Sequence, residues 1–187
     1  MFKFLRSLMG SRQTEWLETT DRKPAVAITR GREIDEQIAR LRPNQVHAMI
    51  LRANGEVENL GVAENLRTNA GADWQADVMG NSSQPAAARY IGLTVNTTAP
   101  AAGDTTLTGE ITTGGLGRAA GTYAHTPGTT SYTITASWTA SATQTAVHKA
   151  GLFSAASAGT MAFETNLNAD ATLASGDQLQ VTWTVNI

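Results

Sequence analysis

The sequence predicts a mainly β protein: an antiparallel β-sandwich or barrel carrying a short helical, extended N-terminal arm. Three observations lead there. The final run "QLQVTWTVNI" sets Leu179, Val181, Trp183, Val185 and Ile187 against Gln178, Gln180, Thr182, Thr184 and Asn186. That period of two marks a strand with one buried face. The stretch "SYTITASWTA" does the same, with Tyr132, Ile134, Ala136 and Trp138 on its apolar side. The third observation is charge. Only 16% of the 187 residues are charged, against about a quarter in an ordinary domain. From Ile91 onward the charged residues are Asp104, Glu110, Arg118, Lys149, Glu164, Asp170 and Asp177, while threonine clusters there.

The elements follow in chain order. Residues 1–10 suit a short amphipathic helix, with Phe4, Leu5, Leu8 and Met9 on one side. Residues 11–33 mix both charges and contain Pro24 and Gly31, so they read as extended. A second short helix is expected over Gly31 to Leu41, where Ile34, Ile38 and Leu41 recur at helical spacing before Pro43. Together these form an arm, residues 1–43. Asn54-Gly55 then predicts a tight turn with positive φ between strands at 45–52 and 56–62. "NLRTNAGADWQADVMG" predicts a helix capped by Thr68 or Asn69, with Trp74 and Val78 inward and Gly80 at its end. "NSSQPAAAR" has the composition of a linker. It divides a hairpin-and-helix segment, 44–82, from a β-sandwich domain, 83–187.

Beyond that point the pattern is all strand. "RYIGLTVN" alternates Ile91, Leu93 and Val95, and "TAVHKAGLFSA", "TMAFETNLN" and the final run follow. Strands at roughly ten-residue spacing, separated by Gly, Ser and Asp turns, describe a sandwich or barrel. Asp104, Asp170 and Asp177 are expected beside those turns, which Asp stabilises. Two stretches, "NTTAPAAGDTTLTGE" and "TTGGLGRAAGTYAHTPGTT", read as long small-residue loops. Loops of such length are usually functional or disordered.

Function classes can be narrowed by chemistry. The absence of cysteine excludes disulfides and Cys-ligated zinc. The broken apolar run at the start does not fit a signal peptide, and no stretch approaches the ~18 apolar residues of a membrane span. The expectation is a soluble chain without export signal or membrane partner. His47 and His148 fall within strands and His125 within a turn. No G-x-S-x-G elbow accompanies them, nor an H-E-x-x-H or calcium-loop spacing. "TTGGLGR" lacks the G-K-[ST] of a phosphate loop. The reading is therefore not an enzyme, with no cofactor and no metal. Arg12, Arg22, Lys23, Arg30 and Arg32 make the arm basic, but acidic residues interleave with them, so no nucleic-acid partner is expected. Phe2, Phe4, Leu5, Leu8 and Trp16 need a neighbouring surface to cover them, which points to a multisubunit assembly.

Four ordered pieces carry a resemblance: "ENLRTNAGADWQADVM", "ARYIGLTVNTTAPAAGDTTLTGEI", "KAGLFSAASAGTMAFE" and "ASGDQLQVTWTVNI". Across residues 64–187 the chain resembles a group of tailed-bacteriophage structural proteins. His148 and Lys149 stand where that group commonly carries an acidic residue before the Ala-Gly. The resemblance implies a virion component with a β-sandwich core, used variously for head decoration, tails or fibres. The expected function is a capsid decoration or cement protein on the outer surface of the particle. Its implied partners are the major capsid protein and copies of itself, as a trimer. The alternative is a tail, neck or fibre-attachment protein; a carbohydrate-binding module using Trp138, Tyr132 or Trp183 stands behind both. The arm residues named above would dock on the shell. Thr98, Pro100, Asp104, Leu116, Arg118 and His125, on the two loops, would make the remaining contacts.

Overall fold

The structure, a computed structural model, describes residues 44–187. The expected arm, with its two helices and the contact residues Phe2, Phe4, Leu5, Leu8, Arg12, Trp16, Arg22, Lys23, Arg30 and Arg32, lies outside the described residues.

Among the described residues ten strands and one helix follow in order: β1 (Gln45–Leu51), β2 (Val57–Glu64), β3 (Leu66–Arg67), α1 (Asn69–Gly80), β4 (Tyr90–Thr94), β5 (Ala119–Ala120), β6 (Thr122–His125), β7 (Ser131–Thr139), β8 (Gln144–Phe153), β9 (Met161–Leu173) and β10 (Gln178–Asn186). They form two antiparallel five-stranded sheets, ordered β2-β1-β10-β7-β6 and β3-β9-β8-β4-β5. The most regularly alternating run in the sequence is thus the central strand of the first sheet. Trp183 stands opposite Val46 on β1 and Ile134 on β7. These side chains meet Leu93, Leu152, Phe163 and Leu173 from the second sheet in one continuous core. Each such side chain, fully buried, contributes about 1.5–3 kcal/mol, so this layer fixes the mainly β, sandwich class that the alternation predicts.

Several expectations need correction. The division near residue 83 separates nothing, because β1 pairs with β10 along its whole length. Residues 44–82 are therefore part of the sandwich. The turn after β1 is not a tight turn with two positive φ angles. Gly55 alone has positive φ (+87°), and its N–H donates to the Arg52 carbonyl at 2.8 Å. That is the three-residue loop, a turn followed by a left-handed glycine. Asp170 lies within β9 and not beside a turn. Val95 falls outside β4 and is exposed, and Ile187 lies beyond β10 at 71% exposure instead of in the core. The second long loop contains β5 and β6.

The helix is placed by its first turn. Thr68 is the N-cap, its Oγ1 accepting from the Gly71 N–H at 2.9 Å while donating to the Met161 carbonyl. Gly71 sits so close to β9 that a Cβ there would come within 2.0 Å of the Ala162 carbonyl oxygen. Trp74 reaches from the next turn to pack against the core.

The chain passes from one sheet to the other four times, and two of these crossings join edge strands. β2 ends at Glu64 in the first sheet and β3 begins at Leu66 in the second. On the opposite flank β5 belongs to the second sheet and β6 to the first, with Gly121 between them. A Cβ on Gly121 would lie 2.3 Å from Ile134 Cγ2, so the crossing hugs β7 too tightly for any other residue.

Candidate functional site

The outward side of the second sheet departs from a simple alternation. From Lys149 to Phe153 every residue of β8 is buried. The cause is the segment 95–118, which folds across that side. Leu107 packs on Phe153 and Met161. The segment returns beside β4, where Ile111 N–H donates to the Leu93 carbonyl at 2.7 Å and Thr94 Oγ1 to the Thr108 carbonyl at 2.8 Å. Gly92 and Gly151, adjacent across β4 and β8, form a floor with no side chains. The Phe153 ring lies over it, 2.9 Å from where a Cβ on Gly151 would stand.

Arg118 closes this arrangement. Its guanidinium carbon sits 3.5 Å from the Phe153 ring centroid, a cation–π contact. Nε and Nη2 both donate to the Glu110 carboxylate, at 2.7 and 2.6 Å, in the two-point geometry that makes arginine pairs strong. Nη1 donates to the carbonyls of Ala155 and Ala158, at 3.0 and 2.7 Å. One side chain thus ties the covering segment to the β8–β9 turn.

Beside it lies a second charged group. Lys149 on β8 and Glu164 on β9 are 3% and 2% exposed, with Nζ 2.7 Å from Oε1. No donor reaches Glu164 Oε2. The carboxyl of Asp104, from the covering segment, is the neighbouring acid that acts on Glu164. Burial pushes the Glu164 carboxyl above its ordinary range, against the pull of Lys149. Asp104 is held below its own, first by the Ala101 N–H that donates to Oδ2 at 2.9 Å and then by Glu164. The two directions are opposite, so Glu164 holds a proton more tightly than Asp104 does.

The loop residues expected to make contacts have unlike fates. Thr98 and His125 are exposed and Pro100 is half-buried. His125 Nδ1 is hydrogen-bonded to the Ser131 carbonyl at 3.0 Å. Leu116 is fully buried in the core and offers no outer surface, a correction. Arg118 and Asp104 are also spent inside the molecule, as described. The remaining charges of this region are engaged too. Asp170 meets His148 Nδ1. Asp177 accepts from the Ala53 and Ala174 N–H groups, each at 2.9 Å, and from Arg52 Nη1 at 2.8 Å. These bonds, the Ala174 one first, lower its pKa to about 2. All seven charges after residue 90 therefore serve internal contacts. Glu164 carries no signal of its own in the sequence, and Lys149 stands out there only as a departure from the resembled pattern, a lysine inside an apolar run.

The outward side of the first sheet is the opposite case. β1, β10 and β7 are adjacent and contain no Asp, Glu, Lys or Arg. Their outward residues pair in rows: Gln45, Thr184 and Thr133; His47, Thr182 and Thr135; Met49, Gln180 and Ser137. Thr135 and Thr182 hydroxyls are 3.0 Å apart, and Gln180 Nε2 donates to Ser137 Oγ at 3.2 Å. Trp138 and Trp183 point the other way and are buried. A groove of about 360 Å³ flanks β6 and β7, lined by Trp74, Val78, Arg89, Tyr123 and Tyr132 among others. No protein-family model, curated protein or solved structure matches the chain.

Proposed function

We propose that this chain is a non-enzymatic structural protein of a tailed-bacteriophage particle and, within that class, a capsid decoration protein that cements the assembled head. The observation that carries the reading is the charge-free outward side of β1, β10 and β7. Charged residues are depleted at the centres of protein interfaces because burying them costs solvation. A sheet face of threonine, glutamine and serine can be covered by another protein without that cost. The ordered resemblance over residues 64–187 supplies the class of particle. Partners on this reading are the major capsid protein and further copies of the chain, as a trimer. A protein that binds the assembled shell and not its separated subunits stabilises the shell by mass action.

The alternative is a tail, neck or fibre-attachment protein using the same face. The carbohydrate-binding reading loses two of its three residues, since the buried indoles of Trp138 and Trp183 cannot stack on a sugar. Immunogold electron microscopy of intact particles, with an antibody against this chain, decides between the first two. Label spread over the shell is the expected result. Label confined to the tail or a single vertex overturns the cement assignment in favour of the alternative, and no label on particles overturns both.

A further inference from the structure

Among the described residues Lys149 and Glu164 form the one ion pair buried at both ends. A buried pair of charges is costly, since attraction must offset the lost solvation of both ions. Here the geometry does not complete the pairing. Glu164 Oε1 accepts from Nζ, but Oε2 has no hydrogen-bond partner, and the Asp104 carboxyl is a second group acting on Glu164. Amine, carboxyl and carboxylate stand in a row, with the outermost member half-buried on a loop.

That row has reactive consequences. In water an ammonium and a carboxylate do not condense, because both ions are better solvated than the amide they would form. Burial removes this advantage, since it penalises the two ions far more than a neutral amide. Held groups also react as if highly concentrated, with effective molarities on the order of 10⁵ M or more for well-oriented partners. We infer that Lys149 Nζ and the Glu164 side-chain carboxyl condense to an amide, an autocatalytic cross-link between β8 and β9 with Asp104 as its base. This is independent of the particle reading above.

The step balances within the three side chains. Nζ of the Lys149 ammonium passes one proton to Glu164 Oε1 as the proton on Oε2 moves to Asp104. The neutral amine attacks Cδ, forming the C–N bond. A second proton moves from Nζ to the Glu164 hydroxyl oxygen, the C–O bond breaks and water leaves. The product is an amide with one N–H and one carbonyl, beside a neutral Asp104. Nothing is oxidised or reduced. Burial shifts Glu164 toward the neutral acid that an amine can attack, and the Ala101 N–H favours Asp104 as the carboxylate that can take a proton.

Mass spectrometry of the denatured full-length chain tests the inference directly. The expected mass is lower than the sequence mass by one water, about 18 Da. Trypsin adds the location. Arg118 and Lys149 are the only Lys or Arg after residue 91, so an unmodified chain yields fragments 119–149 and 150–187. An amide-bound Lys149 carries no charge and is not cut, leaving a single fragment 119–187 lighter by one water. Lys149→Met is expected to show its full sequence mass, and Asp104→Asn to lose little or no water. A wild-type chain of full mass, cut cleanly after Lys149, overturns the cross-link. A bridge that maps from Lys149 to Asp104 overturns the assignment of Glu164 as acceptor. Undiminished water loss in Asp104→Asn overturns the role of Asp104 as base.

Discussion

On the first sheet, β10 turns Gln180, Thr182 and Thr184 outward beside equally neutral neighbours on β1 and β7. On the second, the outward residues Lys149, Gly151 and Phe153 of β8 lie beneath residues 95–118. Among the described residues the same sandwich therefore has one side left bare and one side clad in its own chain. The charges follow that division. Five of the seven after residue 90 (Asp104, Glu110, Arg118, Lys149 and Glu164) gather on the clad side, in two groups: Arg118 with Glu110, and Lys149 with Glu164 and Asp104. A loop of small residues has little apolar surface with which to hold itself down, so a few strong charged contacts do the holding. On the bare side β1, β10 and β7 need no fasteners and carry no charge that a partner would have to desolvate. Glu64 on β2, opposite Gln45, brings a charge to the edge of that sheet.

Three substitutions test how real this division is. Arg118→Ala should have the largest effect. It removes the bonds to Glu110, Ala155 and Ala158 and leaves the Glu110 carboxylate without them, a loss of about 1.5–3 kcal/mol for a partly buried charged pair. Thermal or urea unfolding reads this out, and a loss below 1 kcal/mol or so would mean the cladding holds by other means.

Asp177→Asn should come next and should show itself through pH. The folded carboxyl titrates at about 2, against an unfolded value of about 3.9. Its contribution is present above the unfolded value and is lost as pH falls through the folded one. The wild type should thus lose stability between about pH 4 and pH 2, and the variant should lose much of that slope. Melting curves across that window check it. Because Asp177 joins the Ala53 and Ala174 turns and not the cladding, the trypsin pattern around Lys149 should stay as in the wild type.

Thr182→Lys should have the smallest effect on folding, within about 0.5 kcal/mol, since it sits on the bare side. Its effect should appear instead in association. Sedimentation of particles with bound chain should show weaker binding by the variant. Unchanged binding would remove the bare side as the docking surface.

Much of the sandwich is legible in the sequence, and the same contrast explains which parts. β7 and β10 alternate because one side of each is wet, so Ile134, Trp138, Val181 and Trp183 stand out against threonine and glutamine. β8 is covered on both sides from Lys149 onward, and period-two reasoning has nothing to find there. The helix cap at Thr68 is readable from local chemistry, whereas the need for Gly71 depends on Ala162, far along the chain. Loop length rightly marks residues 96–110 and 112–130 as unusual, but not which way they face. Leu116 and Arg118 look like contact residues in sequence because nothing local shows the core and the Phe153 ring waiting for them.

The crossings at Asn65 and Gly121 bear on how many copies of this chain can sit side by side. A sheet edge recruits other chains when it offers a long, flat row of unpaired amides. Here the flanks are made of β2, β3, β5 and β6, of 8, 2, 2 and 4 residues, and the longest is broken by a bulge opposite Ala48 and Met49. Each flank changes sheet before such a row can form. The chain can therefore be packed at very high local density, shoulder to shoulder, without its strands running on from one molecule into the next.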